Sequence, residues 1–259
     1  MRPSIDAKTA LSKVPEVTLT FWVIKIAATT LGETAGDAVT MSMNLGYLVG
    51  TAIFAALLVV AVGAQIYAKR FHAALYWAVI VATTTAGTTL ADLVDRSLGI
   101  GYLGGSSLLA GLLATTLGLW YWSLGSVSVT DIHSRKAEAY YWVTIMFSQT
   151  LGTALGDWMA DSRGLGYEGG AMVFAAGLAI VAATYYLTKV SRTLLFWSAF
   201  ILTRPLGATV GDFLDKPLAN GGLALSRYTA SAALAAFMIL CLLVLPQSAG
   251  KVTGGRQPE

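Results

Sequence analysis

Four aspartates, Asp37, Asp92, Asp157 and Asp212, close four copies of one motif in this sequence. Reading back from each in steps of four gives Thr29-Glu33-Asp37, Thr84-Thr88-Asp92, Gln149-Thr153-Asp157 and Arg204-Ala208-Asp212. Residues four apart share a face of an α-helix, so each set is a polar stripe ending in a carboxylate. Lys25 extends the first stripe by one turn. Carboxylate and hydroxyl oxygens without His or Cys suit hard cations such as Ca2+, Mg2+ or Mn2+. Carboxylates gathered in dry surroundings also hold protons more readily than solvated ones, because desolvation and like charge act together. The predicted chemistry is the binding and movement of a small cation, coupled to protons. Glu33, Asp37, Asp92, Asp157 and Asp212 would hold the ion, with the four aspartates as metal ligands. Thr29, Thr84 and Thr88 would add oxygens, and Lys25 and Arg204 would neutralise part of the charge.

The elements that position these stripes belong to a repeat. Ungapped segments starting at Phe21, Tyr76, Tyr141 and Phe196 each open on an aromatic residue followed by Trp22, Trp77, Trp142 or Trp197. Ten residues after each Trp comes Gly32, Gly87, Gly152 or Gly207, and five later the aspartate. The Trp-to-Trp spacings are 55, 65 and 55, so the chain reads as two halves of two repeats joined by a longer polar loop. Each repeat has room for two spans of about 20 residues, the length a bilayer requires. Helices are predicted near 17–42, 47–68, 73–97, 102–124, 138–162, 167–188, 193–216 and 223–245. The repeats are then about 17–70, 71–125, 138–190 and 191–245, in one transmembrane domain over 17–245.

Composition agrees. Of 259 residues, 56% are hydrophobic and only 12% charged, about half the charged fraction usual for soluble domains. The fold class predicted is an all-α integral membrane protein of about eight transmembrane helices. Two-span repeats return the chain to its starting side, so all four copies point the same way, related by an axis along the membrane normal. Small residues four apart, Gly32/Gly36, Gly87/Ala91, Gly152/Gly156 and Gly207/Gly211, favour close helix packing beside the polar stripes. The four motif helices should therefore surround a centre, with the less polar helices outside. Pro205 should kink or break the seventh helix.

Lys and Arg gather on the Trp side, at Arg2, Lys8, Lys13, Lys69, Arg70, Arg135, Lys136, Lys189, Arg192, Lys251 and Arg256. Only Arg96, Arg163, Lys216 and Arg227 lie at the opposite ends. The positive-inside rule then places both termini in the cytoplasm. Nine of the fourteen acidic residues, including Asp95, Asp161, Glu168 and Asp215, fall in the outer half. The tryptophans read as interface anchors. Residues 1–16 read as an uncleaved cytoplasmic tail and 246–259 as a polar, disordered one. His72 and His133 fall in loops, which argues against a buried imidazole metal site, and the lone Cys241 permits no internal disulfide. The net charge of +3 reflects topology, and no nucleic-acid motif is present.

This Trp-centred two-span repeat in four tandem copies resembles a family of bacterial membrane proteins of unknown function, over essentially residues 17–245. The resemblance implies the architecture and a bacterial inner-membrane location, and no activity or site residues. The segment Gly32–Asp37 is similar to the Glu-x-Gly-Asp motif of a family of manganese and calcium exporters. Here three residues, not two, separate Glu33 from Asp37, and three of the four copies lack the Glu.

Three function classes follow. The first is a transporter or channel for a small cation, with the bilayer, the cation and protons as partners and no resident cofactor. The second is a membrane scaffold or regulatory protein whose acids are ion-paired to Lys25, Arg204, Arg96 or Lys216. The third, an intramembrane enzyme, is disfavoured: no copy carries Gly-x-Gly-Asp, and HExxH and GxSxG are missing. The array could form a pathway within one chain or a homo-oligomer through its outer helices.

Overall fold

The computed structural model describes residues 13–132 and 134–250. Arg2, Lys8, His133, Lys251, Arg256 and most of both expected tails lie outside these residues. Eight α-helices follow in order: α1 (Leu19–Asp37), α2 (Gly46–Tyr67), α3 (Ala73–Asp92), α4 (Gly101–Leu124), α5 (Arg135–Asp157), α6 (Gly166–Leu187), α7 (Arg192–Asp215) and α8 (Arg227–Val244). Six of them, all but α1 and α5, are long and apolar enough to cross a membrane. Lys25, Glu33 and Asp37 of α1 are all buried, as are Glu138 and Asp157 of α5, whose Arg135 and Lys136 are exposed at its first turn. The protein is a helical, membrane-embedded repeat protein.

The first helices of the four repeats form a closed inner ring, α1 against α3, α3 against α5, α5 against α7 and α7 against α1. Each second helix packs on the ring helix of the following repeat. Thus α2 covers α3, α4 covers α5, α6 covers α7, and α8 closes the circle on α1. The outer helices are apolar all round and bury little of themselves; α2 buries only Gly50 and Gln65. Their exposed Leu, Ile and Val side chains face outward, as lipid demands.

The repeated glycines explain how the ring closes. A Cβ on Gly32 would overlap Thr84, one on Gly152 would overlap Arg204, and one on Gly207 would overlap Thr29. On Gly87 it would come within 3.1 Å of Gln149. Each glycine thus admits the stripe residue of the next ring helix, and the four contacts run round the circle in one sense. Backbone is close enough there for hydroxyls to tie helices together: Thr84 donates to the Ala28 carbonyl at 3.2 Å and Thr29 to that of Thr203 at 3.2 Å.

After α1, α3 and α5 the chain enters a π-helical turn, at Ala38–Ser42, Leu93–Ser97 and Trp158–Ser162. Each turn begins directly after the repeated aspartate. No such turn follows α7, which runs on to Asp215 ahead of Pro217. Of the kink or break expected at Pro205 there is no break: α7 runs continuously through it. Gly152 faces it and leaves room for the ring, since a Cβ there would lie 3.0 Å from Pro205 Cδ.

The tryptophans also differ from expectation. Trp77, Trp142 and Trp197 are buried rather than exposed at an interface. Trp77 donates to Gln247 Oε1 at 3.4 Å and Trp197 to the Val127 carbonyl at 2.9 Å. Trp77 packs against Phe21, Trp142 against Tyr76, and Trp197 against Trp120 of α4. The end segments pair as well: Pro15 and Ala249 form an antiparallel bridge, with Glu16 N–H donating to the Ser248 carbonyl at 2.9 Å. Residues 246–250, expected within a disordered tail, are therefore ordered against the start of the chain at one end of the bundle. That end is called the tail end below, and the opposite one the acidic end.

Candidate functional site

Going from the tail end to the acidic end, each ring helix turns the same five positions, four residues apart, toward a common axis. The first level holds Phe21, Tyr76, Tyr141 and Phe196, and the second Lys25, Ile80, Ile145 and Phe200. The third holds Thr29, Thr84, Gln149 and Arg204, the fourth Glu33, Thr88, Thr153 and Ala208, and the fifth the four aspartates. Every one of these side chains is buried.

The first level is an aromatic seal. Tyr76 and Tyr141 share a hydroxyl–hydroxyl bond of 2.6 Å, and the Phe21 and Phe196 rings lie 6.2 Å apart. Each is braced edge-on by the Trp that follows it, with centroids 5.0–5.4 Å apart.

Arg204 occupies the middle. Its guanidinium is fully buried and pairs with Glu33 Oε2 at 2.9 Å. It also donates to the hydroxyls of Thr88 and Thr153 and, at 3.4 Å, to the Thr29 carbonyl. One side chain of α7 thereby touches α1, α3 and α5 and stands across the axis. Thr88 donates to the Gly32 carbonyl at 3.2 Å and contacts Glu33 Oε2 at 3.3 Å.

Lys25 is equally buried but does not neutralise the acids, as the sequence had suggested. The described residues place no carboxylate within ion-pair distance of it. Its ammonium lies 3.4 Å from Gln149 Oε1 and 4.2 Å from the centroid of the Phe200 ring. The reason is distance: three turns of helix separate Lys25 from Asp37, about 18 Å.

At the acidic end the four aspartates fall into two pairs, each bridged by a cation. Arg96 lies 3.0 Å from Asp92 and 3.2 Å from Asp157. Lys216 pairs with Asp37 and, at 2.9 Å, with Asp212. Arg227, at the start of α8, reaches Asp215 at 3.3 Å and Asp37 at 3.8 Å. The two bridging cations come from the same place in alternate repeats, the runs Asp92–Arg96 and Asp212–Lys216 both reading Asp-x-x-Asp-cation. A two-fold pattern therefore lies inside the four-fold one. The matching Asp-x-x-Asp-cation runs are the sequence signal that could have revealed it.

Among the described residues one group of acids could hold a metal ion. Glu33, Asp37 and Asp212 each offer an oxygen, all within 4.8 Å of one another. Asp92 and Asp157 are not in this group; they share Arg96 instead. The hydroxyls of Thr29 and Thr84 donate to backbone carbonyls between helices. Thr88 alone of the three expected hydroxyls touches Glu33. Six aspartates are buried at this end, counting Asp95 and Asp215; five of them pair with Arg96, Lys216 or Arg227, and Asp95 has no ion-pair partner among the described residues.

A family model described as a Repeat of Unknown Function (DUF347) matches the chain four times, at residues 20–71, 75–126, 140–191 and 195–248. The chain belongs to this family. No curated protein and no solved structure matches it. The four matched units coincide with the helix pairs α1–α2, α3–α4, α5–α6 and α7–α8, so the covalent repeat is one ring helix and the outer helix that covers its neighbour.

Proposed function

We propose that this family member moves a small hard cation, a divalent metal such as Mn2+, Ca2+ or Mg2+, in exchange for protons along the ring axis. The observation that carries the reading is the buried group of Glu33, Asp37 and Asp212, whose oxygens approach within 4.8 Å on the axis side of α1 and α7. Three carboxylates in low dielectric require positive charge between them. Lys216 supplies it here, bound to Asp37 and Asp212. An ammonium on a flexible stem and a dehydrated metal ion are alternative occupants of one carboxylate cluster, so the cation enters as Lys216 swings aside. The excess of aspartates over cations at this end favours both metal entry and proton exchange. Arg204 stands behind the cluster, paired with Glu33, as a positive barrier on the axis.

The same reading places the chain in a bacterial cytoplasmic membrane with both ends in the cytoplasm. Lys13, Lys69, Arg70, Arg135, Lys136, Lys189 and Arg192 all lie toward the tail end, which supports that orientation.

A scaffold reading has its own support: all four repeated aspartates are ion-paired and Arg204 closes the axis. Calorimetry on protein in nanodiscs separates the two. Saturable binding of Mn2+, Ca2+ or Mg2+, lost in Asp37→Asn/Asp212→Asn, is the result expected for transport. No binding to the folded wild type would leave the scaffold reading standing.

A further inference from the structure

We infer that the ring holds a small monovalent inorganic anion, of halide size, between Lys25, Gln149 and Arg204, on the tail side of the arginine barrier. This goes beyond the cation reading and does not depend on it.

The inference starts from charge. Lys25 and Arg204 are both fully buried, and the one carboxylate within ion-pair distance of either is Glu33, which pairs with Arg204. Two cations against one carboxylate leave one positive charge inside a membrane protein. A buried charge without a counter-ion is strongly unfavourable, and such residues in membrane interiors are paired or serve a ligand.

Donor chemistry points to the same place. Gln149 Nε2, Arg204 Nε and Ser148 Oγ are buried and have no hydrogen-bond partner among the described residues. Gln149 and Arg204 occupy the same level of the ring on adjacent helices, and Lys25 reaches that level by its contact with the Gln149 amide. Phe200, over which the ammonium lies, is one turn from Arg204 on α7. Ser148 is one turn from Gly152 on α5, and Gly152 is the residue that admits Arg204; residues four apart share a face, so Ser148 is turned toward α7. An ammonium, an amide N–H, a guanidinium N–H and a hydroxyl therefore gather in one layer, with Gln149 Oε1 the acceptor that Lys25 finds there. Excess donors with a net positive charge make an anion site.

The surroundings fit a small, dehydrated ion. Ile80 and Ile145 complete the apolar wall beside Lys25 and Phe200. The aromatic level lies next toward the tail end, and the Arg204–Glu33 pair next toward the acidic end. One unmatched positive charge selects a monovalent ion over a divalent one.

Equilibrium binding of radiolabelled chloride to the full-length protein in nanodiscs tests this. We expect saturable binding of one chloride per chain, competed by bromide and not by gluconate. Lys25→Met should abolish it, Lys25→Arg should keep it, and Gln149→Leu should weaken it by about tenfold or more, the value of one hydrogen bond to a charge. Wild-type protein that binds no chloride saturably would overturn the proposal and mean that Lys25 is held neutral. Unchanged binding in a folded Lys25→Met variant would overturn it too, by placing any chloride elsewhere.

Discussion

At the acidic end Asp37, Asp92, Asp157, Asp212 and Asp215 pair with Arg96, Lys216 and Arg227, whereas two turns toward the tails Arg204 alone pairs with Glu33 and Lys25 has no carboxylate within ion-pair distance among the described residues. Both regions sit on the same four helices, at successive turns of the same stripe. The residue types that recur in all four copies, the Trp, the Gly and the Asp, build the ring and set one acid per repeat. The residues that differ between copies decide what each level does. The third level reads Thr, Thr, Gln, Arg and the fourth Glu, Thr, Thr, Ala, so a cation and an acid from different repeats meet across the axis. A repeated scaffold thus gains a polar, asymmetric interior from single departures, while its helix–helix contacts stay repeated.

The comparison can be broken most forcefully at Arg204. Arg204→Met leaves Glu33 buried without its partner, and should lower stability by about 3–5 kcal/mol. Arg204→Met/Glu33→Gln should recover most of that loss, because the pair is removed together. Thermal unfolding in detergent reads both; a single variant as stable as wild type would show that the central pair does not organise the ring.

Lys216→Met probes the other region and should be next in size, about 1.5–3 kcal/mol, the scale of hydrogen bonds to charged groups. Arg96→Met should cost less, because the Arg96 side chain is 29% exposed and that of Lys216 only 9%. Equal losses from the two would mean that the two halves of the acidic end are electrostatically alike despite Arg227.

Gly207→Val tests whether the repeated contacts are independent of either charged level. The added carbons would overlap Thr29, and overpacking of this kind costs about 1–3 kcal/mol. Gly111→Val on α4 is the control, since nothing lies within 4 Å of a Cβ there. Similar melting temperatures for the two variants would remove the glycines from the account of ring closure.

The smallest effect is expected at the aromatic seal. Tyr76→Phe deletes the 2.6 Å bond to Tyr141 and should cost about 1 kcal/mol, the net value of one neutral hydrogen bond. A much larger loss would make the seal, rather than Arg204, the element that fixes the four helices at the axis.

Much of this was legible beforehand. Period-four polarity at Thr29-Glu33-Asp37 and its three counterparts gave the buried face, because a helix in lipid must hide such residues inside. The aligned Gly residues marked the close approaches, and the eight helices fall within a few residues of their expected places. Trp burial was not legible, since an aromatic near a helix end fits an interface anchor as well as a core brace. Nor was the close packing of α5 beside Pro205, which depends on the space that Gly152 leaves there.

By itself, then, the sequence determined the repeat, the helices and the set of polar residues turned inward, because helical periodicity and hydrophobicity are local properties of the chain. Only the tertiary structure decided that each outer helix covers the next repeat, that Arg96 and Lys216 bridge aspartates of different repeats, and that Lys25 meets Gln149 instead of an acid. Those outcomes depend on which helices become neighbours in the closed ring, and pairings between side chains 61 to 179 residues apart leave no periodic trace along the chain.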